Sequence, residues 1–192
     1  MPYINVPEGV PGIRSLVMFR PETGKYLYEL AQALLRGPSP LTEAEREIIA
    51  TYVSHRNQCK FCASSHAAAA RHLLGDDEQL MDDVLNDYTS ADISDKLKAL
   101  INIAGKVQIL GKEVKQHDID HARAAGAGDL DIHDTVLIAA TFSMFNRYVD
   151  GLGSLTPPNR EDYLEMGKRL AENGYAVPQP QSSPKPAANG TH

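Results

Sequence analysis

The sequence predicts an all-α fold, a helical bundle, on three observations. Alanine and leucine are abundant, tryptophan is absent and phenylalanine occurs four times, a bias toward helix over a β sandwich. Apolar residues recur at three- and four-residue steps through successive segments. Glycine or proline punctuates the ends of those segments, and no run alternates convincingly as a strand.

Residues 1–14, rich in proline and glycine, read as an arm. Glu22 to Arg36 carries Tyr26, Leu27, Leu30, Leu34 and Leu35 at helical spacing and stops at Gly37-Pro38. A second helix opens at Thr42, with Glu45 three residues on as a capping box. Its apolar stripe is Ile48, Ile49, Tyr52 and Val53. Glu47 falls beside it, on a face with the small Ala44, Thr51 and Ser54. Arg56-Asn57-Gln58 reads as a bend, with Asn57 as N-cap of a helix from Cys59 to Leu74 before Gly75.

The acidic stretch Asp76–Asp92 reads as a solvated face around a short helix at Leu80–Leu85. Further helices are expected over Ser94–Leu110, Lys112–Ala125, the strongly apolar Ile132–Val149 and the amphipathic Asn159–Leu170. Residues 176–192, with almost no apolar anchor, are expected to be a disordered tail behind a single domain at 1–175.

The net charge of −6 and the lack of a basic stripe argue against a nucleic-acid partner. No apolar run approaches the roughly 20 residues of a membrane span, and the N-terminus lacks the pattern of a signal peptide. No membrane partner and a cytoplasmic location are therefore expected. In that compartment a close cysteine pair reads as redox-active or metal-binding rather than as a staple.

The chain has two cysteines, Cys59 and Cys62, with His66 four residues after the second and Glu47 twelve before the first. In a helix, residues three apart have Cα atoms roughly 5 to 6 Å apart, inside the disulfide range. Both cysteines fall in a first helical turn, where unpaired N–H groups favour a thiolate. His66, one turn after Cys62, can take its proton or hold the thiolate. Glu47 would stand roughly 28 Å from His66 along one straight helix. A bend at Asn57 would fold the two helices into a hairpin and let Glu47 orient His66. The implied chemistry is peroxide reduction. Cys62 attacks the O–O bond and becomes a sulfenic acid, Cys59 condenses with it to a disulfide, and an external dithiol resets the pair.

The run E-x(11)-C-x-x-C-x-x-x-H at Glu47, Cys59, Cys62 and His66 resembles the active-site signature of AhpD-like alkylhydroperoxidases. These form the peroxidase-related branch of the carboxymuconolactone decarboxylase superfamily. The resemblance covers roughly residues 10–153, including Pro11-Gly12-Ile13, the RGPSPLT lead-in and Phe145-Asn146-Arg147. It implies an all-α fold on a helical hairpin that carries the cysteines, trimeric or hexameric homo-oligomers, and no metal or organic cofactor. In that family the second cysteine is taken as the attacking one. The best-studied members carry a histidine just before that cysteine. Phe61 stands there in this chain, so a proton relay through such a histidine is lost or replaced. True lactone decarboxylases of the superfamily generally lack the cysteine pair, and its presence argues against decarboxylation.

Other readings stand beside this one. The chain could be a thiol–disulfide partner or sensor with little peroxidase turnover, exchanging with a thioredoxin-like or lipoylated protein. It could be a lactone decarboxylase-like enzyme using His66 and Glu47. His55, Cys59, Cys62 and His66 superficially suggest zinc, but His55 and His66 are about 16 Å apart along a continuous helix, too far for one tetrahedral site. His117 and His121, flanked by Asp118 and Asp120, form a second pattern able to hold a metal on a helix face. Arg56, Asn57, Asn146 and Arg147 read as structural.

Overall fold

The computed structural model describes residues 1–75 and 78–175. The expected tail at 176–192 and the start of the acidic stretch lie outside the described residues. Among the described residues there are α-helices and short 3₁₀ turns but no strand. In chain order the α-helices are α1 (Gly12–Phe19), α2 (Pro21–Arg36), α3 (Glu43–Arg56), α4 (Lys60–Leu73), α5 (Glu78–Asp87), α6 (Asp95–Ile109), α7 (Gln116–Ala124), α8 (Asp129–Gly151) and α9 (Leu164–Asn173).

The central element is α3. Every residue from Arg46 to Ser54 is buried, because α2, α4, α6 and α8 all pack on it. Its apolar side chains Ile48, Ile49 and Val53 join Leu35, Leu100, Ile101, Ile138 and Phe142 in one core. Each such side chain, fully buried, contributes roughly 1.5–3 kcal/mol. The two buried charged residues on α3 have partners, as burial of charge demands. Arg46 donates to the carbonyls of Leu34 at 3.0 Å and Gly37 at 2.8 Å. Glu47 belongs to the site described below. The helix opens with the expected capping box: Glu45 N–H donates to Thr42 Oγ1, and Thr42 N–H to Glu45 Oε2.

The turn from α3 to α4 is a Schellman motif. Cys59 N–H donates to the Ser54 carbonyl and Gln58 N–H to that of His55. Gln58 takes the left-handed conformation, φ 61°, that this motif requires and that glycine usually supplies. Asn57 therefore closes α3, and Cys59, not Asn57, is the residue that caps α4. The Asn57 side chain instead ties the bend to the bundle. It donates to Asn146 Oδ1 at 2.8 Å and accepts from Gln108 Nε2 at 2.8 Å. Asn146 in turn donates to Ser54 Oγ at 3.0 Å, the packing anchor expected of it.

Two further expectations are corrected. The arm is helical from Gly12 onward, because a positive φ at Gly12 (55°) turns the chain into α1 where proline-rich sequence reads as loop. The segment Lys112–Ala125 is not one helix. Gly111–Glu113 forms a 3₁₀ turn, and α7 starts at Gln116. No helix among the described residues is long and apolar enough to cross a membrane.

Candidate active site

The α3–α4 hairpin brings Glu47 and His66, nineteen residues apart, into direct contact. His66 Nδ1 lies 2.7 Å from Glu47 Oε2. Glu47 is fully buried, and two further groups converge on it. Arg36 Nη2, at the end of α2, donates to Oε1 at 2.6 Å. Tyr175, just past α9, donates its hydroxyl to Oε1 at 2.6 Å. Arg36 Nη2 also donates to the Leu170 carbonyl at 2.9 Å, which fastens α9 to the site.

Burial alone would raise the pKa of Glu47. The charge and hydrogen bond of His66, then Arg36 and Tyr175, outweigh it and hold the carboxyl below its ordinary value. Tyr175 is shifted the other way. Burial, then the adjacent Glu47 charge, keep its phenol protonated and able to donate. An ionised carboxylate only accepts, so the proton between Glu47 and His66 sits on Nδ1. That leaves Nε2 as the basic nitrogen of the ring. The ring is held flat against Tyr175, centroids 5.8 Å apart at 12°, and edge-on to Phe142 at 4.6 Å.

The cysteines precede His66 on α4. Phe61, Cys62, Ser65 and His66 share its buried face. Both thiols are free and buried, at 0% exposure for Cys59 and 4% for Cys62. A hydrogen bond to Cys62, then burial, then the charge of Cys62 push the Cys59 thiol up. Tyr163, Phe61 and Val149 pack around the sulfurs. Tyr163 is pushed up to about 12 by burial, Asp162 and the two cysteines, so it stays a neutral neighbour whose hydroxyl donates to the Pro157 carbonyl.

Gly12 closes the site from the N-terminal side. A Cβ there would fall 2.0 Å from the Phe61 ring. On either side of α4 the surface opens. A groove lined by His55, Arg56, Gln58 and Lys60 reaches Cys59. A separate cavity of about 520 Å³ reaches His66 and Phe61.

All four residues singled out by spacing therefore stand on the one hairpin. Sequence reasoning missed Arg36, Tyr175 and Tyr163. Their only local signals are an arginine at a helix end before Gly-Pro, and single tyrosines within and just after the last amphipathic segment. His55 lines the groove near the bend but is exposed. Among the described residues, no group of three or more His, Cys, Asp or Glu could hold a metal ion. In the second histidine pattern, Asp118 is engaged in structure. It accepts from Lys115 N–H at 2.9 Å, Asn102 at 3.1 Å and Lys106, and despite burial these partners hold it at about 2.

The profile of the carboxymuconolactone decarboxylase family matches residues 21–104, a span that includes Glu47, Cys59, Cys62 and His66. A search of curated proteins gives no match. Among solved structures, the chain is similar to an uncharacterized peroxidase-related protein from Silicibacter sp. TM1040. Identity is 30%, with a TM-score of 0.72 over 80% of this chain and 79% of that one. It is equally similar to an uncharacterized peroxidase-related protein from Ralstonia eutropha JMP134, described as an alkylhydroperoxidase AhpD core. There identity is 30% and the TM-score 0.72, over 83% of this chain and 82% of that one. A protein of unknown function from Agrobacterium tumefaciens shares the fold at 20% identity and a TM-score of 0.68, over 83% of this chain and 100% of that one. With relatives 30% identical across about four fifths of both chains, and the family profile lying over the hairpin, the chain belongs to the carboxymuconolactone decarboxylase superfamily, as an AhpD-like member.

Proposed function

We propose that the protein is a thiol-dependent peroxidase cycling between a Cys59–Cys62 dithiol and disulfide. The observation that carries the reading is the buried Glu47–His66 pair, 2.7 Å apart, one helical turn from Cys62. His66 Nε2 takes the thiol proton of Cys62. The thiolate attacks the terminal oxygen of a hydroperoxide ROOH, the O–O bond breaks, and the proton returns to the leaving alkoxide as ROH. Cys62 is now a sulfenic acid. The Cys59 sulfur displaces its hydroxyl, which leaves as water with the Cys59 proton, and the disulfide forms. An external dithiol then exchanges with the disulfide, becomes a disulfide itself and restores both thiols. In sum, ROOH and a dithiol give ROH, water and a disulfide. Glu47 positions His66, and Arg36 and Tyr175 position Glu47. Phe61 in place of a histidine leaves His66 as the base on this face of α4. The reductant is a thioredoxin-like or lipoylated protein. The protein works in the cytoplasm as a homo-oligomer, without metal or organic cofactor.

The test is intact mass and free-thiol count of the reduced protein, before and after one equivalent of cumene hydroperoxide. The expected result is loss of both thiols with a mass decrease of two hydrogen atoms. Cys62→Ser abolishes peroxide consumption, and Cys59→Ser stalls at a sulfenic acid that dimedone traps. Full peroxide consumption by the double Cys→Ser variant would overturn the assignment.

A further inference from the structure

The cavity beside His66 has a composition that hydrogen peroxide does not need. Its volume is about 520 Å³, within the range of small-molecule pockets, whereas a water-sized molecule occupies about 30 Å³. Its walls are largely apolar: Ile13 beside α1's first turn, Tyr28 of α2, Phe61 of α4, and Met166 and Leu170 of α9. The inner end is the buried catalytic histidine with Tyr175; the outer end is charged.

Two arginines line the cavity's exposed part. Arg14 comes from α1 and Arg169 from α9, and both are exposed. Each is close enough to Tyr28 for its charge to act on the Tyr28 phenol. Glu165, Glu172 and Lys168 complete the charged lining. Glu172 faces His72, 3.7 Å away. The lining therefore carries three cations against two anions.

A largely apolar cavity lined by the buried His66 and Tyr175 and by two exposed guanidiniums fits an amphipathic molecule. We infer that this cavity takes an organic hydroperoxide carrying a carboxylate on a hydrocarbon chain, with the carboxylate held by Arg14 and Arg169. A long-chain fatty-acid hydroperoxide is the simplest case. The hydrocarbon replaces water along Ile13, Tyr28, Met166 and Leu170. The guanidiniums donate to the carboxylate oxygens in the forked geometry that arginine favours. The hydroperoxide then lies toward Phe61 and His66, on the face of α4 that carries Cys62. The inference rests on the peroxidase reading and deepens it: the O–O bond breaks as described above, and the product is the hydroxy acid.

The test is single-turnover oxidation of the reduced protein, quenched with N-ethylmaleimide and read by intact mass. Three oxidants are compared below their micellar concentrations: linoleic acid hydroperoxide, its methyl ester, and hydrogen peroxide. The acid should react about ten-fold faster than the ester, a factor that charge-assisted hydrogen bonds supply after discounting for solvent exposure. In Arg14→Ala/Arg169→Ala the acid-to-ester ratio should fall to near one, and in Arg14→Lys/Arg169→Lys it should recover in part. A ratio near one in the unsubstituted protein, or an unchanged ratio in the double alanine variant, overturns the substrate assignment while leaving the peroxidase reading intact. Thiols that survive all three oxidants overturn both.

Discussion

Glu47 is a carboxylate removed entirely from water, and its free energy depends on three partners at once. Removing one member of a buried ionic set typically costs 3–5 kcal/mol, because the charge left behind is uncompensated. In Glu47→Gln the buried Arg36, whose side chain is only 6% exposed, loses its short ion pair and keeps only the longer one to the partly exposed Glu43, at 3.5 Å. We expect that variant to lose about 3 kcal/mol near neutral pH by urea unfolding. The pH dependence gives a sharper check. The folded pKa of Glu47 is depressed, so its contribution is complete above the unfolded value, about 4.3. It is lost as the pH falls through the lower folded value. Stability of the native sequence should therefore decline more steeply below about pH 4.3 than stability of Glu47→Gln. Parallel acid limbs for the two proteins would mean that Glu47 is not ionised in the fold.

At the scale of elements, the hairpin was legible and the placement of α9 and Tyr175 over it was not. Thr42 with Glu45, the bend at Arg56–Gln58 and the three- and four-residue steps of Cys59, Cys62 and His66 are local signals, so α3, α4 and the site residues on them could be read in order. Asn57 misled because side chains that cap a following helix can also tether the end of a preceding one. Its partners Gln108 and Asn146 come from α6 and α8. Tyr175 reaches Glu47 across 128 residues of sequence, a contact that no periodicity encodes. What delivers it is the crossing of α9 over α4, which depends on Gly167. A Cβ there would meet the Ala68 Cβ at 2.4 Å and the Ala68 carbonyl carbon at 2.6 Å. Backbone cannot move aside as a flexible side chain can. Gly167→Ala should therefore cost about 1–3 kcal/mol by overpacking. It should also lift Tyr175 and Met166 from the site and slow thiol oxidation by peroxide. Unchanged thermal stability in Gly167→Ala would show that α9 is not fixed by this contact.

For the molecule as a whole, α8 is the element that faces two ways. Its inner side places Phe142 against His66 and Asn146 against the α3–α4 bend. Its outer side exposes Leu130, Leu137 and Met144 at seven-residue steps, with 64%, 37% and 44% of each in solvent. His133, Ala140 and Arg147 alternate with them and are exposed too. Apolar residues at seven-residue steps are the spacing of a helix–helix seam. Single exposed apolar residues are ordinary on a protein surface, whereas apolar residues repeated along one helix face mark an interaction site. The expected occupant is a second copy of the chain, because the family resemblance implies a homo-oligomer. Light scattering on a size-exclusion column should give an oligomer for the native sequence and a monomer for Leu137→Glu/Met144→Glu, since each glutamate would have to be desolvated in the seam. Both substituted side chains point away from Phe142 and Asn146, so the monomeric variant should keep its rate of thiol oxidation within about two-fold, the small effect typical of surface changes. A native sequence that is monomeric at tens of micromolar, or a double glutamate variant of unchanged mass, would remove α8 from the interface. A monomer that has also lost thiol reactivity would mean instead that the outer seam holds α8, and through Phe142 the catalytic histidine, in place.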